Sequence, residues 1–192
     1  MSLAREKLLT TALELFLYEG FQSVGVDRVI KCSGISKMTL YKYFSSKDDL
    51  IEECLKRYHA EIIAEIQQRV AQSPLVMEPQ IAGLLAWYRT KFIDTSVRGC
   101  LFVSAANLYS EPEHPIHQVC QLHKQTLIEL FSRLLQMFGY ANPQALALQC
   151  LILFEGARNL SAIGITGDSL DAATQVLTVL LQHHRVAVAA SA

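Results

Sequence analysis

"ISKMTLYKYFSSKDDL", residues 35–50, sets two tyrosines, a phenylalanine and three lysines into sixteen positions. Helical spacing sorts them. Leu40 and Phe44 are i, i+4 neighbours and share one face, which the pattern assigns to the core. Lys37, Met38, Thr39, Tyr41 and Lys42 occupy much of the remaining surface, with Tyr41 turned out, and Tyr43 falls between the two faces. Ser36 stands where an N-cap is expected ahead of a short helix over 37–43. Ser46, with Asp49 three residues on, makes the capping-box pattern at the start of a fourth helix. Lys47 then lies in that helix's first turn, where a cation is unfavourable unless an anion docks beside it.

Upstream, Gly34 supplies a turn that a residue without Cβ makes easily. Before it, residues 26–33 read as a second short helix with Val26, Val29 and Ile30 inward. Gly20 stops a first helix over 5–18, whose inner face is read as Leu8, Ala12, Leu15 and Phe16. Two short helices joined by a glycine turn form a helix-turn-helix, and the second helix of that motif enters a major groove about 12 Å wide. From Phe21 to Lys47 the positive residues are Arg28, Lys31, Lys37, Lys42 and Lys47 against the single acid Asp27, a local excess of four in a chain of net charge −1. A clustered excess of this kind is the footprint of phosphate binding. A helical hairpin with a merely solvated basic face is the alternative that charge and spacing leave open.

Downstream, the fourth helix runs to about residue 71, and "SPLVMEP" (73–79), with two prolines, is the clearest linker. Further helices are expected over 80–94, 98–109, 115–138, 143–164 and 169–188, with Pro115 and Pro143 in first-turn positions. No segment alternates as a strand. The expected fold is all-α. A three-helix helix-turn-helix DNA-binding domain over 1–50 precedes a larger helical domain over 72–192, with about nine helices in total.

Composition removes several classes of function. With 192 residues, 51% of them hydrophobic, the chain can bury a large core, and the net charge argues against a uniformly basic surface. Cys32, Cys54, Cys100, Cys120 and Cys150 are odd in number and form no C-x-x-C pair, as expected of reduced thiols in a cytoplasmic protein. No apolar run reaches the about 18 residues of a spanning helix, and no signal-peptide pattern is visible, so no membrane partner is expected. Nothing resembles a nucleophile elbow, a P-loop or a paired-carboxylate site, and Glu155 has no evident partner. An all-helical enzyme is therefore a remote alternative, and no cofactor is implied.

The stretch "GFQSVGVDRVIKCSGISKMTLYKYFSSKDDL" (20–50) resembles the DNA-binding domain of the tetracycline-repressor (TetR) family of bacterial regulators. The matching features are Gly20, Val26, Val29, Gly34-Ile35-Ser36, Thr39-Leu40-Tyr41, Tyr43-Phe44, Lys47 and Leu50. The rest of the chain is similar in helix number and length, and "RGCLFVSAANLYSEPEHPIH" (98–117) is similar to a segment of one branch of the family. The resemblance implies a ligand-responsive transcriptional regulator, a repressor and not an enzyme. It would bind a near-palindromic operator as a homodimer and release it when a small-molecule inducer enters the C-terminal domain. On matching positions it implies that Ser36 caps the recognition helix. Lys37, Met38, Thr39 and Lys42 would meet bases or nearby phosphates, and Tyr41 and Lys47 would hold phosphates, with Tyr43 a weaker candidate. The sequence departs from the family at Val24 and Gly25, where threonine or serine is usual, leaving Ser23 or Arg28 to replace a hydroxyl contact. Met38 stands where a small residue is common and suits a thymine methyl. Ile30 replaces a common alanine, which alters helix packing.

In the C-terminal half, "QALALQCLILFEGARNLSAIGI" (144–165) is apolar on more than one face, as in a central helix or an interface. The resemblance places the homodimer contact on the helices at 143–164 and 169–188. It also puts Trp87, Tyr88, Phe92, Phe102 and Tyr109 on pocket-lining helices, with Asn107, Arg158 and Asn159 as orienting polar groups, although aromatics at helical spacing are most often core. Finally, His117, Cys120 and His123 recur every third residue within "EHPIHQVCQLHK" (113–124). They offer a zinc or copper ligand set, and with it a metal- or thiol-responsive regulator as the alternative function. The plainer reading is no metal at all, only a helix start with solvated histidines and a buried thiol.

Overall fold

Two rows of apolar residues, Leu8-Ala12-Phe16 and Leu9-Leu13, bury one side of the first helix, α1 (Leu3–Glu19). The computed structural model describes residues 2–72, 99–165 and 169–184. Leu15, expected inward, is only half-buried, because Leu9 and Leu13 hold the adjacent positions on the core side. Gly20, at φ 83°, ends α1 with its N–H on the Phe16 carbonyl. The chain then folds back: the Phe21 ring lies 5.1 Å from Phe16, and Val24 is fully buried.

Helix α2 (Val26–Ser33) buries Val29 and Ser33, with Val26 and Ile30 half-buried. Gly34 adopts the left-handed conformation and donates its N–H to the Ile30 carbonyl at 2.9 Å. Helix α3 (Lys37–Tyr43) starts at Ser36, whose Oγ accepts the Thr39 N–H at 3.2 Å. Leu40 and Phe44 have no exposed surface. Burying each contributes about 1.5–3 kcal/mol and fixes which side of α3 faces out.

Helix α4 (Lys47–Gln72) is capped by Ser46, whose Oγ accepts the Asp49 N–H at 3.0 Å. The return arm reaches one residue beyond the capping-box pattern: Asp49 Oδ2 accepts from the Ser45 N–H at 2.7 Å and from its hydroxyl at 3.1 Å. Leu50, Ile51, Cys54 and Leu55 fill the core side of α4. Arg5 pairs with Glu53 at 2.5 Å and Arg57 with Glu6 at 3.2 Å, joining α4 to α1.

Four more helices follow among the described residues: α5 (Leu101–Leu108), α6 (Pro115–Met137), α7 (Pro143–Ala162) and α8 (Ser169–His183). The described residues contain no strand, so the all-helical expectation holds. No helix among them is long and apolar enough to cross a membrane. The expected helix over 80–94, the linker at 73–79 and the tail of the last helix beyond 184 lie outside the described residues.

The chain forms two compact units. The first takes the described residues of Met1–Glu65 and Ser96–His123, and the second those of Ile66–Thr95 and Lys124–Ala192. Both α4 and α6 contribute to each. In the second unit, α7 and α8 are packing neighbours. Helix α7 buries Leu146, Ala147, Leu151, Phe154 and Ala157, while α8 contributes Ala173 and Leu177. Asn142 takes a left-handed turn at φ 50° ahead of Pro143, and the Ala141 N–H donates to the His184 carbonyl at 3.0 Å, closing the ends of the pair.

Candidate functional site

The buried side of α3 leaves a mixed basic and apolar face outside. Met38 is 83% exposed, Tyr41 and the side chains of Lys37 and Lys42 are exposed, and Thr39 is half-buried with its hydroxyl 2.8 Å from Ser36 Oγ. An unbranched apolar side chain held in water between two lysines has no packing reason in the first unit.

The cations around this face already have partners. Lys37 Nζ lies 3.3 Å from Asp27 Oδ1 on an exposed surface, a contact worth little in water. Arg28 grips Glu19 at 2.8 and 3.4 Å. Their hydrogen bond raises the arginine pKa and holds the Glu19 carboxyl below its ordinary value. Lys42 Nζ sits 5.9 Å from the centre of the Tyr43 ring. Lys47 is half-buried and donates to the Phe21 carbonyl at 2.6 Å, so its charge pins the start of α4 to the α1–α2 connection.

Tyr43, which spacing leaves between faces, is half-buried and donates its hydroxyl to Ser2 Oγ at 2.8 Å. It belongs to the seam with the start of α1. Val24 is core and Gly25 has no side chain, so the missing hydroxyl at these positions is not supplied locally. Of the residues expected to replace it, Ser23 is exposed and Arg28 is held by Glu19.

Among the expected ligand contacts, Trp87, Tyr88 and Phe92 lie outside the described residues. Phe102 is buried in the first unit, between His123 (ring centres 3.6 Å apart, 11° between planes) and Tyr58 (5.8 Å, 5°). Asn107 is on the wall of a surface groove of about 360 Å³ between α5 and the Gly20–Ser23 connection. Tyr109 is half-buried, donates its hydroxyl to Asp48 Oδ1 at 2.6 Å and stacks on His114 at 4.6 Å. Arg158, half-buried, and Asn159, exposed, are on α7 in the second unit.

The three-ligand metal reading of His117, Cys120 and His123 is corrected. Successive steps of three residues turn about 60° around a helix, so the outer two side chains diverge by about 120°. His117 Nδ1–H donates to the Tyr109 carbonyl at 2.9 Å, Cys120 is buried, and His123 Nδ1 lies 3.0 Å from His59 Nδ1. Among the described residues no three histidine, cysteine, aspartate or glutamate side chains gather as a metal would require. Nor is His123 solvated, since it is 3% exposed. Burial also lowers the pKa of His59 from its ordinary 6.5.

Sequence reading missed three participants. Asp48 and His59 take no part in the sequence reading, and their partners are 61 and 64 positions away. Glu155, left without a partner, is met by Lys124 Nζ at 2.5 Å from its Oε1, 31 positions back. Lone charges at the edge of apolar helical runs were the available signal.

A helix-turn-helix whose second helix shows a basic and apolar face defines a DNA-binding regulator. The sequence pattern of "Bacterial regulatory proteins, tetR family" matches residues 8–54. An uncharacterised helix-turn-helix-type transcriptional regulator of Bacillus subtilis, YxaF, is 32% identical over 166 residues, 82% of this chain and 84% of that protein. The crystal structure of SCO4454, a TetR-family transcriptional regulator from Streptomyces coelicolor, superposes with a TM-score of 0.87 at 27% identity over 95% of this chain and 96% of that one. The reduced form of Escherichia coli NemR shares the fold, with a TM-score of 0.80 at 22% identity over 92% of this chain and 95% of that one. The chain belongs to the TetR family of transcriptional regulators.

Proposed function

We propose that this regulator is a cytoplasmic repressor. It binds a near-palindromic operator as a homodimer and releases it when a small molecule binds within residues 72–192. The observation that carries the reading is the outward face of α3, where Met38 stands 83% exposed beside Lys37 and Lys42. In this reading Lys37, Met38, Thr39 and Lys42 meet base edges or nearby phosphates, and Ser36 holds the helix that carries them. Tyr41 and Lys47 hold phosphates. Lys47 has three N–H groups, and the Phe21 carbonyl accepts only one of them. Arg28 and Lys37 exchange exposed carboxylate partners for phosphate, and Tyr43 steadies the seam behind them.

Dimerisation is supported by apolar side chains left outside on the second unit. Leu148, Ile152 and Leu160 on α7 and Val176 and Val179 on α8 are exposed. Residues four and eight apart share a helix face, so a second copy would cover them as one strip. A twofold partner also sets two recognition helices about 34 Å apart, one turn of DNA. Helix α4, running from Lys47 to Gln72, joins residues 1–50 to the ligand-binding part. The inducer would favour a conformer in which the two recognition helices are wrongly spaced, and its differential affinity sets how far DNA binding falls.

The test is selection of DNA from a random pool by the full chain, with light scattering on the protein alone. A two-half-site consensus and a dimer support the proposal. A folded monomer, or no DNA retained at low salt, would leave a helical interaction protein as the function.

A further inference from the structure

Four neutral polar side chains, Gln22, Ser23, Ser104 and Asn107, line the surface groove of about 360 Å³ between the α1–α2 connection and α5. All four are exposed, and among the described residues none of these side chains is engaged in a hydrogen bond. Glu19 adds a carboxylate, which holds Arg28 at 2.8 and 3.4 Å. Leu108, 40% exposed, adds an apolar patch. No cation is among the described residues that line the groove. Such a lining selects a ligand by chemistry. Each amide offers two donors and an acceptor, and each hydroxyl one donor and two lone pairs. An anion meets no positive charge there, and a wholly apolar ligand would strip water from the amides and hydroxyls with nothing in exchange. A ring that carries several hydroxyls donates and accepts around its edge, and its C–H face suits Leu108. The groove lies within the size range of small-molecule sites.

We propose that this groove is an effector site for a neutral polyhydroxylated molecule of monosaccharide size, and that its occupation strengthens operator binding. It is a second site, apart from the inducer site within residues 72–192, and the coupling rests on the reading of Arg28 above. A ligand hydroxyl that donates to Glu19 replaces a hydrogen bond from Arg28. The guanidinium then exchanges carboxylate for phosphate at lower cost. Ligand and operator therefore bind with positive coupling, each raising the affinity of the other by the same factor.

The experiment titrates the full chain with glucose, galactose, mannose and myo-inositol, read by saturation-transfer NMR, with glycerol as the reference and glucuronate as a charged probe. At least one of the four should bind about tenfold tighter than glycerol and than glucuronate, the size of one or two hydrogen bonds. The double variant Gln22→Leu/Asn107→Leu, at exposed positions, and Ser104→Trp, which fills the groove, should each lose about tenfold in that affinity. Helix content by circular dichroism should be unchanged in both. No probe better than glycerol, equal binding of glucuronate, or binding retained in both variants overturns the site. Filter binding to selected operator DNA then reads the coupling. Saturating probe should raise operator affinity about fivefold or more. Glu19→Gln, which releases Arg28 and keeps an acceptor oxygen, should still bind the probe, with operator affinity no longer responding. No response in the native protein, or an undiminished one in Glu19→Gln, overturns the effector role. If Arg28→Ala binds operator as well as the native protein does without probe, the reading of Arg28 falls, and the NMR titration still decides the site.

Discussion

Tyr109 donates its hydroxyl to Asp48 Oδ1 at 2.6 Å, tying the C-terminal end of α5 to the first turn of α4, one residue from Lys47. Burial first, and the Asp48 bond second, push the phenol well above its ordinary range. The Tyr109 carbonyl takes the His117 Nδ1–H, and its ring lies on His114, whose own Nδ1 accepts the Ile116 N–H at the start of α6. One residue thus joins three helices around the end of α4 that carries a phosphate-binding candidate. Tyr109→Phe and Asp48→Ala should each destabilise the protein. In a double-mutant cycle by urea unfolding near pH 7, the pair should couple by about 1 kcal/mol. Strictly additive losses would mean that the short contact contributes nothing.

At the DNA face, Lys47 and the lysines of α3 should behave differently. Lys47→Ala should weaken binding to all sequences alike and lower the salt slope by about 1, as loss of one phosphate contact does. It also loses the bond to the Phe21 carbonyl, so binding is measured well below the variant's unfolding temperature. Lys37→Ala and Lys42→Ala should change the preferred base at single operator positions, at about 1–3 kcal/mol per good contact. Losses equal on every sequence for all three lysines would show that only the backbone of the DNA is touched.

How much of this was legible follows from the range of the forces involved. Gly20, Gly34, Ser36 and Ser46 act within four residues, so α2 and α3 have the boundaries their sequence predicts. Leu40 and Phe44 could be assigned inward because helical periodicity is local, and Tyr41 outward for the same reason. Leu15 was misplaced because Leu9 and Leu13 offer a competing stripe, and only packing chooses between stripes. Tyr43 stayed ambiguous because its partner, Ser2, is 41 residues away. The histidines of 113–124 misled because steps of three residues spread the outer two side chains by about 120°, and Tyr109 and His59 take one each. Lys124 and Glu155 could be paired only by bringing α6 and α7 together.

The cysteines should separate by burial. Cys54 and Cys150 are buried, and desolvation pushes both thiols up to about 12, far from reactivity near neutral pH. Cys32 is exposed on α2. Under brief iodoacetamide treatment of the native protein near pH 8, mass spectrometry should find the label on Cys32, with Cys54 and Cys150 modified only after denaturation. Labelling of Cys54 as fast as Cys32 would mean that its place against the Leu9 carbonyl opens readily.

The last expectation concerns acid. His59 and His123 meet through their Nδ1 atoms at 3.0 Å, so one ring donates, the other accepts, and a proton on both nitrogens breaks the contact. Burial lowers the His59 pKa below 6.5, its value when unfolded. Above that value the ring is neutral in both states and its stabilising contribution is complete. As the pH falls below it, the unfolded chain takes up the proton first, so stability declines until the lower, folded-state pKa is passed. Urea midpoints should therefore fall between about pH 7.5 and about pH 5.5, across the range in which histidine titrates. His59→Gln, which keeps a polar partner for His123 but does not titrate, should show a shallower fall. Parallel losses in the two proteins would place the acid sensitivity elsewhere than this pair.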